Sequence, residues 1–408
     1  MIWFYWLSGG TVALLWTFTV VQAALNHHRM ADLTQAEWLP PADAKFPSLT
    51  IVAPALNEET AVEGALRSLL QLDYPDYQIV AVDDRSTDST GAIMDRLAAE
   101  PASSGKLRVL HVRDLPPGWL GKTHAMWLGA QQRSIPGEPP FGALGPNAQS
   151  EWILFTDADC VFRPDALRRA LYYADVSRTR GQALDHLVVF PTALTETWGE
   201  RMMTSFPQVT ANLAVRHWKV RDPEAKDFIG VGAFNLIRRS AYDAIGTYEQ
   251  LRLAVVDDMQ LGEAVKKAGL RQDVVYAPHL VSLRWAVGAM GVVRNLEKNL
   301  FAFFRFRMSL VLGATAALFI LCIAPYLGIL IAPGWTKAGF AVAVAMIATL
   351  HAMTARVSLI SPIYFATFPF GALLLVLATW RSAFVALRNG GITWRGTRYS
   401  LEELRKGS

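Results

Sequence analysis

Residues 151–161 read EWILFTDADCV, and the reading of this stretch decides the fold. Trp152-Ile153-Leu154-Phe155 is a continuous apolar run, the pattern of a strand buried on both faces, and it stops at Asp157-Ala158-Asp159. Two carboxylates therefore stand where a buried strand ends. Ligands of open α/β sheets bind at the carboxyl ends of strands, and two acids one residue apart there suit a hard divalent cation held together with phosphate oxygens. The competing reading is a solvated turn that leads into a helix expected from Pro164.

On either side of this stretch, strands alternate with helices. Strands are expected at 49–53, 78–82 and 107–112, and helices at 60–70, 87–99, 123–132 and 164–175. The alternation predicts a mostly parallel mixed sheet with helices on both faces, an α/β fold. Residues 134–150, with Pro-Gly, Pro-Pro and Gly-Pro, read as a surface loop.

The chain as a whole is too apolar for an ordinary soluble enzyme, with 52% hydrophobic residues and a mean hydropathy of +0.23. Residues 2–25 carry no charge and are long enough to cross a hydrocarbon core of ~30 Å. No basic region precedes them and no small-residue cleavage site comes after them, which argues against a cleaved signal peptide. His27-His28-Arg29 then places the downstream chain in the cytoplasm. Three apolar segments, 309–332, 338–355 and 363–387, come late in the chain. Four crossings would leave the C-terminus outside, whereas Arg388, Arg395, Arg398, Arg405 and Lys406 favour the inside. One re-entrant segment would reconcile the two, and 338–355 is the shortest candidate.

The expected layout is a transmembrane helix at 1–29, a linker at 30–47 and a cytoplasmic catalytic domain at 48–294. An interfacial amphipathic helix at 295–308, about three membrane segments at 309–387 and a basic tail at 388–408 complete it. The interfacial stretch mixes Lys298, Arg305 and Arg307 with Leu300, Phe301, Phe303, Phe304 and Phe306. The net charge of +4 is modest and the basic residues cluster beside apolar segments, so the expected partner is the membrane and not nucleic acid. Two cysteines, Cys160 and Cys322, make no disulfide framework.

The first strand runs into Pro54-Ala55-Leu56-Asn57-Glu58-Glu59 and the second into Val82-Asp83-Asp84-Arg85, at the sheet edge that carries Asp159. A carboxylate at the end of the second strand can accept hydrogen bonds from a ribose or a base, while Thr87 or Asp88 can cap the next helix. No glycine-rich phosphate loop comes after a strand, which excludes a dehydrogenase or P-loop reading. His124 and His217 gather no ligand set and read as structural.

The ordered set PALNEE, VDDRSTDST, GWLGK, FTDADC, GVGAFNLIRRSAYDAIG, VVDDMQLG and LRW, flanked by membrane helices, resembles the membrane-bound inverting glycosyltransferases of family 2. Within them it is similar to ceramide glucosyltransferase-like and hopanoid- or carotenoid-associated members, over about residues 48–305. The resemblance implies a GT-A nucleotide-diphospho-sugar transferase fold in which Pro54, Asn57, Glu59 and Asp84 hold the nucleoside. It implies that Asp159 contacts a divalent metal, Mg2+ or Mn2+, on the diphosphate, with Asp157 beside it and Lys122 near the phosphates. Gly232 and Asp257 fall on the acceptor and diphosphate side, and Asp258 corresponds to the general base. Arg284-Trp285 ends the family's Q-x-x-R-W motif, with Trp285 as an acceptor platform and Arg284 facing the diphosphate. Val281 stands where the motif has its polar first residue, which weighs against a processive polysaccharide synthase.

Displacing a nucleoside diphosphate in one inverting step requires a base for the acceptor proton and a cation at the leaving group. The expected activity is transfer of a sugar from a UDP-sugar to a hydroxyl of a membrane lipid. The alternatives are a polyprenyl phosphate or polysaccharide acceptor and, from another class, a catalytically inactive membrane scaffold of the same fold.

Overall fold

The computed structural model describes residues 2–103, 105–131, 150–394 and 397–406. The surface loop expected at 134–150 lies, except for Ser150, outside the described residues. Ten strands build the catalytic body: β1 (Leu49–Ala55), β2 (Tyr77–Asp84), β3 (Leu107–Val112), β4 (Trp152–Phe155), β5 (Val161–Phe162), β6 (His186–Phe190), β7 (Thr192–Ala193), β8 (Asn235–Arg238), β9 (Gln272–Tyr276) and β10 (Val281–Leu283). Seven of them form one sheet in the order β3-β2-β1-β4-β8-β6-β9, in which β8 alone runs antiparallel to its neighbours.

Every residue of β1, β2 and β4 is buried, as expected for strands covered by helices on both faces. Register does the positioning. Val52 pairs with Phe155 and Ala55 with Asp83, so β1, β2 and β4 release their polar loops at one edge. A second sheet, β5-β10-β7, stands there and begins directly after Asp159. This is the mostly parallel mixed sheet of a GT-A fold.

Three segments differ from the sequence expectation. Residues 30–47 do not hang free: Asp32 bridges to Tyr276 beside β9, Leu33 and Trp38 are buried, and Trp38 meets Tyr173 edge-on at 4.8 Å. The helix expected at the interface runs Gly288–Phe303, shifted toward the N-terminus. It ends because Arg305 and Phe306 take φ of 50° and 54°, which turns Phe306 inward and lets Arg305 reach Glu263 at 3.1 Å. The basic tail is folded, with a hairpin of β11 (Gly391–Trp394) and β12 (Thr397–Ser400) and a short helix, Leu401–Lys406.

Four helical segments are long and apolar enough to cross a membrane: Ile2–Arg29, Met308–Ile331, Gly334–Ser358 and Pro362–Arg388. These are the marks of a membrane protein. A π-turn at Phe319–Ile323, just before Pro325, interrupts the second. The segment singled out as short forms a 22-residue helix, Lys337–Ser358, enough to span ~30 Å at 1.5 Å per residue. The last segment lies against the helix Trp198–Ala214 near its start and the helix Gly288–Phe303 near its end. Near its start Tyr364 meets Trp198 at 6.3 Å and Phe368 meets Phe206 at 4.8 Å. Near its end Arg381 pairs with Glu297 at 2.9 Å and the Ser382 hydroxyl accepts the Phe301 N–H at 2.9 Å.

Candidate active site

A cavity of about 720 Å³ opens at the carboxyl edge of the sheet, between the strand ends and the helices Trp198–Ala214 and Gly288–Phe303. Its floor is acidic. Asp157 leaves β4 and donates its N–H to the Gly232 carbonyl at 3.1 Å, while Thr156 Oγ1 donates to the Ala233 carbonyl at 2.8 Å. The stretch after β4 is thereby tied to the loop before β8.

Asp257 and Asp258 open the helix Asp257–Lys267, where free backbone N–H groups favour carboxylates. Asp258 Oδ2 accepts the Gly232 N–H at 3.0 Å and Oδ1 accepts the Met259 N–H at 2.8 Å. Two glycines are required here. A Cβ on Gly230 would lie 1.7 Å from the Asp258 carbonyl oxygen, and one on Gly232 would lie 2.5 Å from Asp157 Oδ2.

Lys122, at the start of the helix Gly121–Ala130, places Nζ 2.7 Å from Asp157 and 3.4 Å from Asp257. Burial opposes its charge, but Asp157, Asp257 and Asp258 together outweigh that penalty and raise its pKa above the ordinary lysine value. One ammonium does not neutralise the cluster. The carboxyls of Asp257 and Asp258 are both pushed up, first by burial and then by neighbouring carboxylates, against the pull of Lys122. Asp159 is raised in the same way, by burial and then by Asp157.

A buried polar chain supports the loop. His186 is fully buried, and burial lowers its pKa to about 4, so the ring is neutral. Gln272 Nε2 can only donate to Nδ1, at 2.7 Å, which leaves Nε2–H to donate to Asn235 Oδ1 at 3.2 Å. Gln272 Oε1 then accepts the Ile229 N–H at 2.9 Å, fixing the segment that carries Gly230 and Gly232.

Of the residues singled out in the sequence, Pro54, Lys122, Asp157, Asp159, Gly232, Asp257, Asp258, Arg284 and Trp285 line this cavity. Asn57, Glu59 and Asp84 are not in its wall. Asn57 Oδ1 accepts the Thr87 N–H at 2.8 Å and Glu59 Oε2 accepts the Ser89 N–H at 3.1 Å, so these two join the loops after β1 and β2. Asp84 is fully buried and pairs with Arg85 at 2.8 Å. Arg284 pairs with Glu196 at 2.8 Å and Glu200 at 3.4 Å. N–H donors from Gly288 and Glu196 hold the Glu200 carboxyl down at about 2.

Glu58, within the Asn57–Glu59 stretch read as nucleoside-binding, lines the wall, and so do residues outside the sequence reading: Gln208, Asn295, Asn299 and Trp394. Asn295 and Asn299 stand four apart on the helix Gly288–Phe303, on one face of it, and that spacing was the available signal. Trp394 arrives on the C-terminal hairpin, docked by an Arg85 Nη1 bond to Thr397 Oγ1 at 3.2 Å. Nothing local in the sequence brings it there.

Comparison with known proteins adds the family. The family model described as glycosyltransferase like family 2 matches residues 47–307. Among curated proteins, 4,4'-diaponeurosporenoate glycosyltransferases of Staphylococcus aureus strains bovine RF122 / ET3-1 and MRSA252 are each 25% identical over 224 residues, 55% of this chain and 52% of theirs. The chain thus spans about half the length of the curated relatives it matches. Among solved structures, the mannosyltransferase PcManGT from Pyrobaculum calidifontis, in complex with GDP-Man and Mn2+, aligns with a TM-score of 0.47 and 20% identity over 93% of this chain and 98% of its own. S. aureus TarS 1-349 in complex with UDP aligns with a TM-score of 0.38 and 14% identity over 85% of this chain and 93% of its own. The family match begins just before β1, takes in the whole sheet and its acidic cavity, and ends past the interfacial helix; the protein belongs to glycosyltransferase family 2 and is a glycosyltransferase with a GT-A fold.

Proposed function

We propose that the protein transfers a sugar, with inversion, from a nucleotide-diphosphate sugar such as a UDP-sugar to a hydroxyl of a membrane lipid. The catalytic body faces the cytoplasm and the reaction takes place at the surface of the cell membrane. The observation that carries this reading is the position of Asp258. It is a carboxylate of raised pKa, held by two backbone N–H groups, in a cavity with acids at one end and the membrane-proximal helices at the other.

In the step, the acceptor oxygen bonds to the anomeric carbon while its proton passes to Asp258. The bond from that carbon to the diphosphate breaks, and its electron pair leaves with the nucleoside diphosphate. Lys122 contributes a fixed positive charge beside the phosphates. Asp159, with Asp157, is our candidate holder of Mg2+ or Mn2+. Burial and the charge of Asp157 disfavour an ionised Asp159, a cost that a dication would relieve. Among the described residues no group of three His, Cys, Asp or Glu side chains gathers around one point, so substrate oxygens would complete the shell, as is usual for Mg2+. The metal, when bound, would stabilise the charge that develops on the leaving diphosphate.

The contacts at both ends of Pro362–Arg388 support three crossings, with the C-terminus on the catalytic side. The test incubates purified protein with a panel of nucleotide sugars and total lipid extract and detects glycolipid by mass. A glycosylated lipid that is lost in Asp258→Asn supports the reading. Extension of a polysaccharide instead of a lipid overturns it.

A further inference from the structure

A second cavity, of about 570 Å³, shares no residue with the acidic one. Arg305, Arg307 and Arg405 line it, together with Met308, the first residue of the segment Met308–Ile331, and Leu387, the last but one of Pro362–Arg388. The two segments stand side by side, with Trp380 Nε1 donating to Thr315 Oγ1 at 3.1 Å. The cavity therefore sits where both helices leave the apolar span, at the depth of lipid headgroups.

Its basic groups outnumber the acids that serve them. Arg307 is exposed and pairs with no carboxylate among the described residues. Arg305 shares Glu263 Oε1 with Lys267, at 3.1 and 2.9 Å, so one acid serves two cations. Arg405 Nη2 donates to the Phe306 carbonyl at 3.4 Å, which sets its guanidinium against the cavity wall. Glu403 is taken up at the start of the tail helix, where it accepts the Ser400 N–H at 3.0 Å and the Ser400 hydroxyl at 2.8 Å. The left-handed turn at Arg305 and Phe306 buries the ring and leaves the arginines on either side of it exposed. Apolar surface continues from the cavity into the span: Leu312, one turn beyond Met308, and Phe384, one turn before Leu387, are both exposed on the faces that carry those residues.

We propose that this cavity binds the phosphate of an anionic phospholipid, with Arg305, Arg307 and Arg405 around the headgroup and the acyl chains along Leu312 and Phe384; the site goes beyond the sugar-transfer reading and does not depend on it. Guanidinium N–H groups match phosphate oxygens in pairs and keep their charge throughout the physiological range. A bilayer supplies that phosphate at this depth, already joined to chains that cover the apolar surface, whereas a free phosphate would leave that surface bare.

The test uses the full chain purified in detergent micelles and counts bound lipid by native mass spectrometry during titration with dioleoyl phosphatidylglycerol or dioleoyl phosphatidylcholine. One phosphatidylglycerol is expected to bind in clear preference to phosphatidylcholine. Each arginine near an anionic headgroup is worth about fivefold in affinity, so Arg307→Gln and Arg405→Gln should each weaken phosphatidylglycerol by about that factor and leave phosphatidylcholine unchanged. Arg307→Gln, with no ion pair to lose, should melt at the wild-type temperature in lipid-free micelles, which separates lost binding from lost folding. Arg356→Gln, at an exposed arginine near the end of the segment Gly334–Ser358, should bind like the wild type. Equal affinity for the two lipids overturns the site. So does an equal loss in Arg356→Gln, the mark of diffuse attraction between a basic surface and any anionic lipid. Displacement of phosphatidylglycerol by inorganic phosphate, at an ionic strength where chloride has no effect, would make the cavity a site for free anions and overturns the lipid assignment.

Discussion

The two walls of the cavity are built on opposite principles. The strand-edge wall concentrates charge, with Asp157 and Asp159 after β4 and Lys122, Asp257 and Asp258 in the first turns of two helices at the edge set by the register of β1, β2, β4 and β8. The helix wall presents the amides of Gln208, Asn295 and Asn299, together with Trp285 and an Arg284 paired with Glu196 and Glu200. Unneutralised carboxylates are tolerable where the proposed dication would join them to an anionic diphosphate, and they are costly where the ligand comes from a bilayer. The contrast therefore separates a donor side from an acceptor side without a bound ligand, and it can be broken at specific residues.

Asp258→Asn should have the largest effect. Loss of a general base costs about 10²–10⁴-fold in rate, so transfer should fall by on the order of a thousandfold while nucleotide binding persists. Stability should move the other way. Because the folded protein raises the Asp258 pKa, the ionised form destabilises the fold above that pKa, and the penalty fades as pH falls toward the unfolded value. The variant should thus melt at or above the wild-type temperature at pH 7. Transfer within threefold of wild type would remove Asp258 from its role.

Lys122→Met comes next. Removing one preorganised positive charge from a leaving group costs about 10²–10³-fold, and here it also strips the partner from Asp157 and Asp257. Lys122 pulls the Asp258 pKa down, so its loss should shift the acid limb of the pH–rate profile to higher pH. If the limb stays in place while the rate falls, Lys122 acts on the donor without coupling to the base.

The strand-edge wall was legible in the sequence because its parts are local. An apolar run that stops at Asp157-Ala158-Asp159 announces a buried strand and its exit, and Gly230 and Gly232 mark a close backbone approach. The helix wall was not, because its parts meet only through long-range packing. Trp394 lies more than 300 positions from Arg85, whose neighbourhood it shares. Arg284, read as facing the diphosphate, pairs with Glu196 and Glu200, which lie more than 80 positions away in the chain. The fourth apolar segment is long and apolar enough to cross a membrane, but composition records length and hydropathy, not which neighbours wait at each end.

The pH dependence of the wild type should be smaller in size but direct in meaning. Burial, together with the charge of Asp257, pushes the Asp258 carboxyl up to about 6. The base works only when deprotonated, so kcat/KM should fall tenfold per pH unit below about 6 and level off above it. The donor side should show this limb with any lipid acceptor. A profile that stays flat down to pH 5 would mean that proton removal does not limit the reaction, and Asp258→Asn would then have to act through the loop of Gly232.

Trp394→Ala should have the smallest effect. Its indole arrives on a hairpin held to the body by the Arg85–Thr397 bond and by the burial of Ile392, Trp394, Tyr399 and Leu404 with Phe301 and Phe306. Because the hairpin joins the strand-edge wall to the helix wall, loss of the ring should loosen the seam between them without removing a reacting group. A rise of about threefold in donor and acceptor KM together, with kcat retained, is the expected result. A rise confined to the donor would assign Trp394 to the charged wall, and one confined to the acceptor would assign it to the amide wall, so this variant decides where the boundary between the two sides runs.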